Sequence, residues 1–334
     1  MSPHPGSTAA IVFPAAGEVE LREVPLPPPG PDDVLVEVEH TTISAGTELH
    51  CLHGTIRLGA GTVRFPFTPG YQAAGRVRAA GDAVTEIAVG DRVFSARCKQ
   101  PPGWEGRWWA GHCAWHVAAA ADVIPLPSAV DTRSASALLL AQVGYNGGAR
   151  PPVAAGDAAL VIGDGLVGQW AAQVLRHRGA RVLLAGHRRR RLEIAAEHSA
   201  DEVVDTHAED PGEWVRSRAP AGLRIAAETT GKTDLIRDAA ALLGHDGHLV
   251  VLGYYSPGAC EVDIHWLRAG ETTTHFPNGQ RRDRMERTLA LIEQGVVKVD
   301  ELVTHRFAPA DAATAYRMLQ QDPDTLGVTI DWSR

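Results

Sequence analysis

A glycine turn that joins an apolar run to a helix-like segment is the feature that most restricts how this 334-residue chain can fold. Residues 158–162 are apolar and lead into Gly163, Gly165 and Gly168, which have the spacing GxGxxG. The first glycine permits a tight turn, the second lets the backbone approach a pyrophosphate, and the third lets the helix pack closely on the strand. The amides that follow would face the phosphates. A dinucleotide site is therefore predicted, with the candidates Gly163, Gly165, Leu166, Val167 and Gly168.

Short apolar runs and helix-like segments continue to alternate after this turn. Alternation of this kind is typical of an α/β fold with a doubly wound parallel sheet, whose ligand lies at the carboxyl ends of the strands. Gly253 ends one of the apolar runs and is a further coenzyme-binding candidate. The predicted strands are 181–185, 202–204, 224–227 and 248–253, and the helical segments include 191–197 and 235–243.

The residues after the second predicted strand bear on which dinucleotide is bound. An NAD enzyme usually has an acidic residue there, about 20 residues after the glycines, to bind the ribose hydroxyls. This chain instead has a glycine and then the basic run 187–191. Guanidinium groups bind a 2′-phosphate, which a carboxylate would repel, so NADP(H) is predicted. The alternative is that the run is only the solvated start of a helix. The predicted contacts are Gly186, His187, Arg188, Arg189 and Arg190.

Length and charge limit the function classes that remain. A chain of 334 residues is too long for one such sheet, so we expect two domains. The net charge of −8, from 32 Lys and Arg against 40 Asp and Glu, argues against nucleic acid or an anionic membrane as a partner. Residues 1–10 lack the pattern of a signal peptide, and no apolar stretch suits a membrane span, so a cytoplasmic protein is expected.

The N-terminal part of the chain has the pattern of a β-rich domain. Residues 34–39 alternate as a half-buried strand, and short strands are predicted at 74–78 and 91–94, with glycines and prolines between them. Near the other end, helices are predicted at about 281–294 and 309–320. A last strand at 326–332 would return to the first domain.

In this order, these features resemble the medium-chain dehydrogenase/reductase superfamily over nearly the whole chain. The resemblance implies a GroES-like β-rich catalytic domain, residues 1–130 and 278–334, and a Rossmann nucleotide-binding domain, residues 131–277, with the active site in the cleft between them. It also implies a homodimer that pairs through about residues 271–276. The blocks that carry the resemblance are AGTELH at 45–50 with Gly54, PGYQAAGRV at 69–77, VGDRV at 89–93, VIPLP at 123–127, the glycine turn and LVTHRF at 302–307.

The chain departs from the zinc-dependent members of this superfamily at the metal ligands. Those members have a cysteine, a histidine followed by a glutamate, and a third ligand further along the chain. Catalytic zinc needs about three N, O or S donors from the protein, so we predict no metal. Short blocks resemble the zinc-free branch that includes the bacteriochlorophyllide a dehydrogenases. At the positions of the zinc ligands, this chain has Ala45, Tyr71, Gln72, and Leu139 or Leu140.

The proton relay of the zinc-dependent members uses a hydroxyl and a histidine, and the resemblance assigns these positions to Thr47 and His50. Hydride transfer to a carbonyl builds negative charge on oxygen, which a donor must stabilise. We predict that Thr47 donates to the substrate oxygen and that His50 exchanges the proton. The alternatives are a packing hydroxyl and an ordinary surface histidine. Tyr71 either donates to the oxyanion or forms an aromatic wall. Glu48 is expected in a structural ion pair, for example with an arginine.

Three functions compete for this chain. The first is a zinc-independent, NADP(H)-dependent oxidoreductase that interconverts an alcohol and a ketone on a small or medium ring-bearing metabolite. The second is metal-free reduction of an activated C=C bond, and the third is NADPH binding without catalysis. Retained Thr47 and His50 favour the first. The ring-bearing substrate is suggested by an aromatic cluster, whose alternative role is to pack a remodelled lobe or an oligomer contact. Its tryptophans are Trp104, Trp108, Trp109 and Trp115.

Overall fold

The computed structural model describes residues 4–58, 61–101, 103–104, 106–109, 111–255 and 260–333. Its strands are β1 (Ser7–Val12), β2 (Glu20–Pro25), β3 (Asp33–Thr42), β4 (Arg57–Leu58), β5 (Gly61–Thr62), β6 (Phe67–Thr68), β7 (Ala73–Ala80), β8 (Arg92–Ser95), β9 (Arg107–Trp108), β10 (Trp115–Ala119), β11 (Val123–Pro125), β12 (Ala158–Ile162), β13 (Arg181–Gly186), β14 (Glu202–Asp205), β15 (Leu223–Glu228), β16 (Leu243–Val251), β17 (Thr273–His275), β18 (Val303–Phe307) and β19 (Gly327–Asp331). Its α-helices are α1 (Ala45–Leu52), α2 (Thr132–Ala135), α3 (Leu138–Ala149), α4 (Leu166–His177), α5 (Arg189–His198), α6 (Pro211–Arg218), α7 (Thr233–Ala240), α8 (His265–Ala269), α9 (Arg282–Glu293) and α10 (Ala312–Gln321).

The chain forms two compact units, Met1–Leu139 with Val303–Arg334, and Leu140–Leu302. The first unit contains a sheet of strand order β11-β8-β7-β3-β19-β18, in which β10 also pairs with β3. The late strand β19 runs antiparallel to β3, with Ile330 opposite Thr41. The two ends of the chain therefore meet in one sheet, and the predicted return of the last strand is confirmed.

One apolar core of the first unit lies between this sheet and two helices. Fully buried Ile11 of β1 and Phe13 just after this strand pack with Leu52 of α1, Tyr316 of α10 and Ile330 of β19. Burial of such side chains stabilises each by roughly 1.5–3 kcal/mol relative to exposure. The core therefore holds α1, which carries the candidate residues at 45–50, against the C-terminal segment of the chain.

The second unit contains a parallel sheet of order β14-β13-β12-β15-β16-β17. Successive residues of β12 enter different cores: Val161 packs with Ala172 of α4, whereas Leu160 packs with Ile236 of α7. Helices on both faces confirm the predicted doubly wound sheet. Its parallel strands bring the glycine turn after β12 and the basic run after β13 to the same edge.

The predicted helix 235–243 is too long, because α7 ends at Ala240 and β16 begins at Leu243.

The boundary between the units differs from the one drawn at residues 277/278. Residues 278–302 belong to the second unit, because α4 binds the chain after α9. The indole of Trp170 donates to the carbonyl of Lys298 at 2.8 Å, and the Lys298 amide donates to Gln173 at 2.9 Å.

Strand β17 lies at one end of the parallel sheet, and the homodimer through residues 271–276 stays a prediction. Among the described residues, none of the helices is long and apolar enough to cross a membrane.

Candidate coenzyme site and candidate active site

The glycine turn of the second unit has a backbone that side chains would disrupt. Gly163 has φ 121°, and a Cβ on it would lie 2.3 Å from the Thr229 hydroxyl. A Cβ on Gly168 would lie 2.2 Å from the Gly163 carbonyl oxygen. Around Gly165, by contrast, a Cβ would meet nothing within 4 Å, so the backbone is open to a ligand. Helix α4 begins directly after Gly165, without a side-chain cap, and the free amides at such a helix start can bind a phosphate.

A cavity of about 800 Å³ opens beside this turn. Gly163 and Gly165 line it together with Gly186, His187 and Arg188 from the end of β13. Burial, and then the charge of Arg188, lower the pKa of His187. Three arginines and a lysine also line the cavity. They are Arg188, Arg191, Arg216 and Lys232.

Two residues of the predicted basic contact lie elsewhere. The side chains of Arg189 and Arg190 are 90% and 59% exposed, and both pair with Glu193 on the surface of α5. They do not line the cavity. Helix α5 begins at Arg189, so successive side chains point in different directions, and Arg191 returns to the cavity wall. Arg216 and Lys232 come from other elements, and no local sequence signal identifies them.

An aspartate inside the glycine turn also lines the cavity. The Asp164 carboxylate accepts hydrogen bonds from the His187 amide at 2.9 Å and the Arg188 amide at 3.0 Å. Its other oxygen lies 3.7 Å from guanidinium nitrogens of Arg188 and Arg191. Sequence reasoning missed this residue because the GxGxxG pattern leaves its position unspecified.

A buried glutamate fixes the loop after β15, whose residues Thr229, Thr230 and Lys232 also line the cavity. Glu228 ends β15 and accepts hydrogen bonds from the Thr230 amide at 2.5 Å and the Gly231 amide at 3.2 Å. It also accepts hydrogen bonds from the hydroxyls of Thr230 and Tyr255. Burial, together with this carboxylate, raises the pKa of Tyr255. Gly253 packs behind the same loop, where a Cβ would lie 2.2 Å from the Gly231 amide, so it supports the cavity without lining it.

In the first unit, Tyr71 and Thr47 lie together. The Tyr71 hydroxyl donates to Ser44, the residue before α1, and is also hydrogen-bonded to Thr47. Burial raises the pKa of Tyr71 to about 12, although both hydrogen bonds oppose that shift. Tyr71 is therefore a protonated donor near neutral pH. Ser44 was missed because the position before a helix suits serine as a cap, which explains it without a functional role.

His50 lies one helical turn beyond Thr47 on α1, so the two residues share a helix face. Its ring is exposed, and Nδ1 lies 2.9 Å from the Thr55 hydroxyl. The structure therefore joins Thr47 to Tyr71 by a hydrogen bond and leaves His50 at the solvent side of the same helix.

Glu48 lies beneath these residues and contacts a histidine and a tyrosine, not the expected arginine. His112 Nε2 lies 3.0 Å from the carboxylate, the Tyr316 hydroxyl donates to it at 2.5 Å, and the Ser44 amide donates to it at 2.9 Å. Glu48, His112 and Tyr316 are fully buried. Burial and the Glu48 charge raise the pKa of Tyr316. The other ring nitrogen of His112, Nδ1, lies 2.7 Å from the Thr41 hydroxyl. This buried network fixes the residue that accepts from Tyr71.

The described tryptophans of the predicted aromatic cluster do not lie together. Trp109 packs edge-on against Tyr71 with ring centroids 5.5 Å apart. Trp104 instead joins the core around Val12, and Trp115 joins the core around Leu35. The side chain of Trp108 lies outside the described residues. Only Trp109 of the described tryptophans in this group therefore borders the candidate active site.

The residues at the zinc-ligand positions do not fit a zinc ion. Ala45 and the buried Leu139 and Leu140 have no donor side-chain atoms. Gln72 is buried and donates to the Thr42 carbonyl at 3.0 Å. In the part of the chain that the structure describes, no group of three or more His, Cys, Asp or Glu residues is arranged to hold a metal. Tyr71 and Gln72 would offer at most one side-chain oxygen each, which is fewer than the roughly three protein donors that catalytic zinc needs.

Two family models match the chain: the alcohol dehydrogenase GroES-like domain over residues 30–128 and the zinc-binding dehydrogenase over residues 167–294. An alcohol dehydrogenase from Rhizobium meliloti (strain 1021) is 31% identical over 74% of this chain and 76% of its own length. The chain belongs to the medium-chain dehydrogenase/reductase superfamily. The predicted GroES-like and Rossmann folds are confirmed with it.

Two further similarities fit this superfamily. The 2-desacetyl-2-hydroxyethyl bacteriochlorophyllide A dehydrogenase of Rhodobacter capsulatus is 29% identical over 97% of this chain and 98% of its own length. A dehydrogenase from Sinorhizobium meliloti 1021, solved with NADP, has the same fold, with a TM-score of 0.82 at 23% identity over 97% of this chain and 99% of its own. The chain is thus an oxidoreductase that binds a nicotinamide dinucleotide.

Proposed function

We propose that this dehydrogenase interconverts an alcohol and a ketone on a small or medium ring-bearing metabolite, without zinc and with NADP(H). The observation that carries the proposal is the hydroxyl cluster of Tyr71, Ser44 and Thr47, which supplies a donor at a position where zinc-dependent members have a metal ligand. The Trp109 ring beside Tyr71 supports a substrate with a ring.

The residues around the cavity suit NADP(H), which supplies or accepts the hydride when it is bound. The open backbone at Gly165 and the start of α4 would hold the pyrophosphate. Arg188 before α5 and Arg191 in its first turn, with Arg216 and Lys232 from the same cavity lining, would hold a 2′-phosphate. A local group of cations in a chain of net charge −8 supports a phosphate over a free ribose hydroxyl.

The hydroxyl cluster would stabilise the charge that develops on the substrate oxygen. Because its pKa is raised to about 12, Tyr71 keeps its proton and can turn it from Ser44 to that oxygen. Thr47 would support Tyr71 through their hydrogen bond. His50, whose ring is exposed on the same helix, would exchange the proton with solvent, the relay role that the resemblance implies for it.

A substrate panel tests this function directly. We expect cyclic and aryl ketones to be reduced with NADPH and the corresponding alcohols to be oxidised with NADP, at rates that a strong zinc chelator does not lower. Initial rates would be measured from coenzyme absorbance, with bound zinc determined on the same sample. Turnover of enones with inert ketones would favour C=C reduction instead. Tight NADPH binding without any turnover would favour a binding protein.

The coenzyme preference is tested by replacing one arginine at a time. Arg188→Ala is expected to lower kcat/KM for NADPH about tenfold or more and to change that for NADH much less, because a charge-assisted contact to phosphate contributes about 1.5–3 kcal/mol. Arg189→Ala, at a neighbouring exposed arginine paired with Glu193, should change either value less than twofold. A larger loss with Arg189→Ala, or a wild type that prefers NADH, would contradict the assignment.

A further inference from the structure

The Asp164 side chain occupies the space into which a side chain at position 186 would project. Its carboxylate is only 4% exposed, although it lines the cavity. A Cβ on Gly186 would lie 2.6 Å from the Asp164 Cβ and 2.7 Å from its Oδ2. Real Cβ atoms essentially never approach other atoms more closely than 3.0 Å. The two positions therefore cannot both carry a side chain in this backbone.

The same carboxylate fixes the backbone that presents Arg188. One oxygen accepts from two successive amides, those of His187 and Arg188. The other oxygen faces guanidinium nitrogens of Arg188 and Arg191 at 3.7 Å. Hydrogen bonds to a charged acceptor are stronger than those to a neutral one, so this anchor holds the turn after β13 firmly. The Asp164 carboxylate therefore contacts backbone amides and guanidinium groups of the protein.

We propose that coenzyme choice in this chain is set by the pair Asp164 and Gly186, and not by Gly186 alone. Asp164 is a positioning residue that holds Arg188 for the 2′-phosphate and excludes an acidic side chain from position 186. This inference rests on the proposed preference for NADP(H). It follows that a change of preference to NAD(H) needs two substitutions, one at each position.

The first experiment compares three variants of the full chain by their dissociation constants for NADPH and NADH. Gly186→Asp alone should weaken both coenzymes at least tenfold, because the new Cβ displaces the glycine turn. Adding Asp164→Gly should restore NADH binding and make it tighter than NADPH binding. Adding Asp164→Ala instead is the matched control: it keeps the Cβ that lies 2.6 Å away and should leave NADH as weak as in the single variant. Reversal of preference by Gly186→Asp alone would overturn the proposal.

The second experiment tests the anchor. Asp164→Ala should weaken NADPH binding about tenfold and NADH binding less than threefold, because only NADPH depends on the position of Arg188. Asp164→Asn, whose amide oxygen can still accept from both backbone amides, should retain NADPH binding within about threefold. Equal losses for the two coenzymes in Asp164→Ala would show a merely structural role and reject the anchor.

A measurement without coenzyme separates this inference from the proposed function. Gly186→Ala should lower the Tm of the wild type by about 3 °C or more, but should lower that of the Asp164→Gly variant much less, as expected for two positions that share one space. Additive Tm losses would overturn the steric pairing. If the Tm losses of the two substitutions are non-additive but the wild type binds NADH as tightly as NADPH, the coenzyme assignment fails and the steric pairing stands.

Discussion

Tyr71→Phe will lower kcat/KM for ketone reduction about 10²- to 10³-fold, the usual cost of removing one donor from an oxyanion site. The variant keeps the ring that packs on Trp109 and removes only the hydroxyl that donates to Ser44. Its Tm and its dissociation constant for NADPH should therefore change little. Steady-state kinetics with NADPH and a ketone that the wild type reduces would measure the effect.

Two further measurements distinguish a donor role of Tyr71 from simple packing. They are the kcat/KM of a Thr47 variant and the pH profile of the wild-type kcat/KM. Thr47→Val removes a hydrogen bond to Tyr71 and should cost only about tenfold. Because the pKa of Tyr71 is raised from 10 to about 12, its donor proton is retained from neutral pH up to about pH 11. Wild-type kcat/KM should therefore show no decline with a midpoint near pH 10. Full activity of Tyr71→Phe would reject Tyr71 as the donor.

The features that could be predicted from the sequence are those that depend on short segments. The apolar run 158–162 and the glycines after it determine a strand, a turn and a helix start through local sterics. The predicted return of the chain end was also correct, since an alternating strand must find a partner, and β19 finds it in β3. The helix predicted to Leu243 ended too late, because a leucine suits a helix and a buried strand equally well.

The residues and contacts that prediction missed are those that depend on distant partners. Asp164 acts on amides 23 and 24 positions later in the chain, and Glu48 meets a histidine 64 positions later. Arg189 and Arg191 are chemically identical, and only the direction imposed by α5 sends one to solvent and the other to the cavity. Residue type and spacing contain no such information, so the sequence shows the basic run but not which of its arginines line the cavity.

The buried network under the hydroxyl cluster links both segments that form it. Glu48 holds the amide of Ser44, which accepts from Tyr71. His112 packs against Gly70, directly before Tyr71: a Cβ there would lie 2.6 Å from the His112 amide, and Gly70 has φ 85°. The contact between Glu48 and His112 thus supports the start of α1 and the turn that carries the tyrosine. Damage to it should affect stability and catalysis together.

Glu48→Ala is therefore expected to lower the free energy of unfolding by about 3–5 kcal/mol, because it leaves His112, the Tyr316 hydroxyl and the Ser44 amide buried without their acceptor. Denaturant unfolding followed by tryptophan fluorescence would measure the loss. Glu18→Ala, at an exposed glutamate of the same unit, is the control and should change stability by about 0.5 kcal/mol or less. Glu48→Gln keeps an acceptor oxygen and should lose less than Glu48→Ala. Equal stabilities of the Glu48→Ala and Glu18→Ala variants would show that the network does not hold the site.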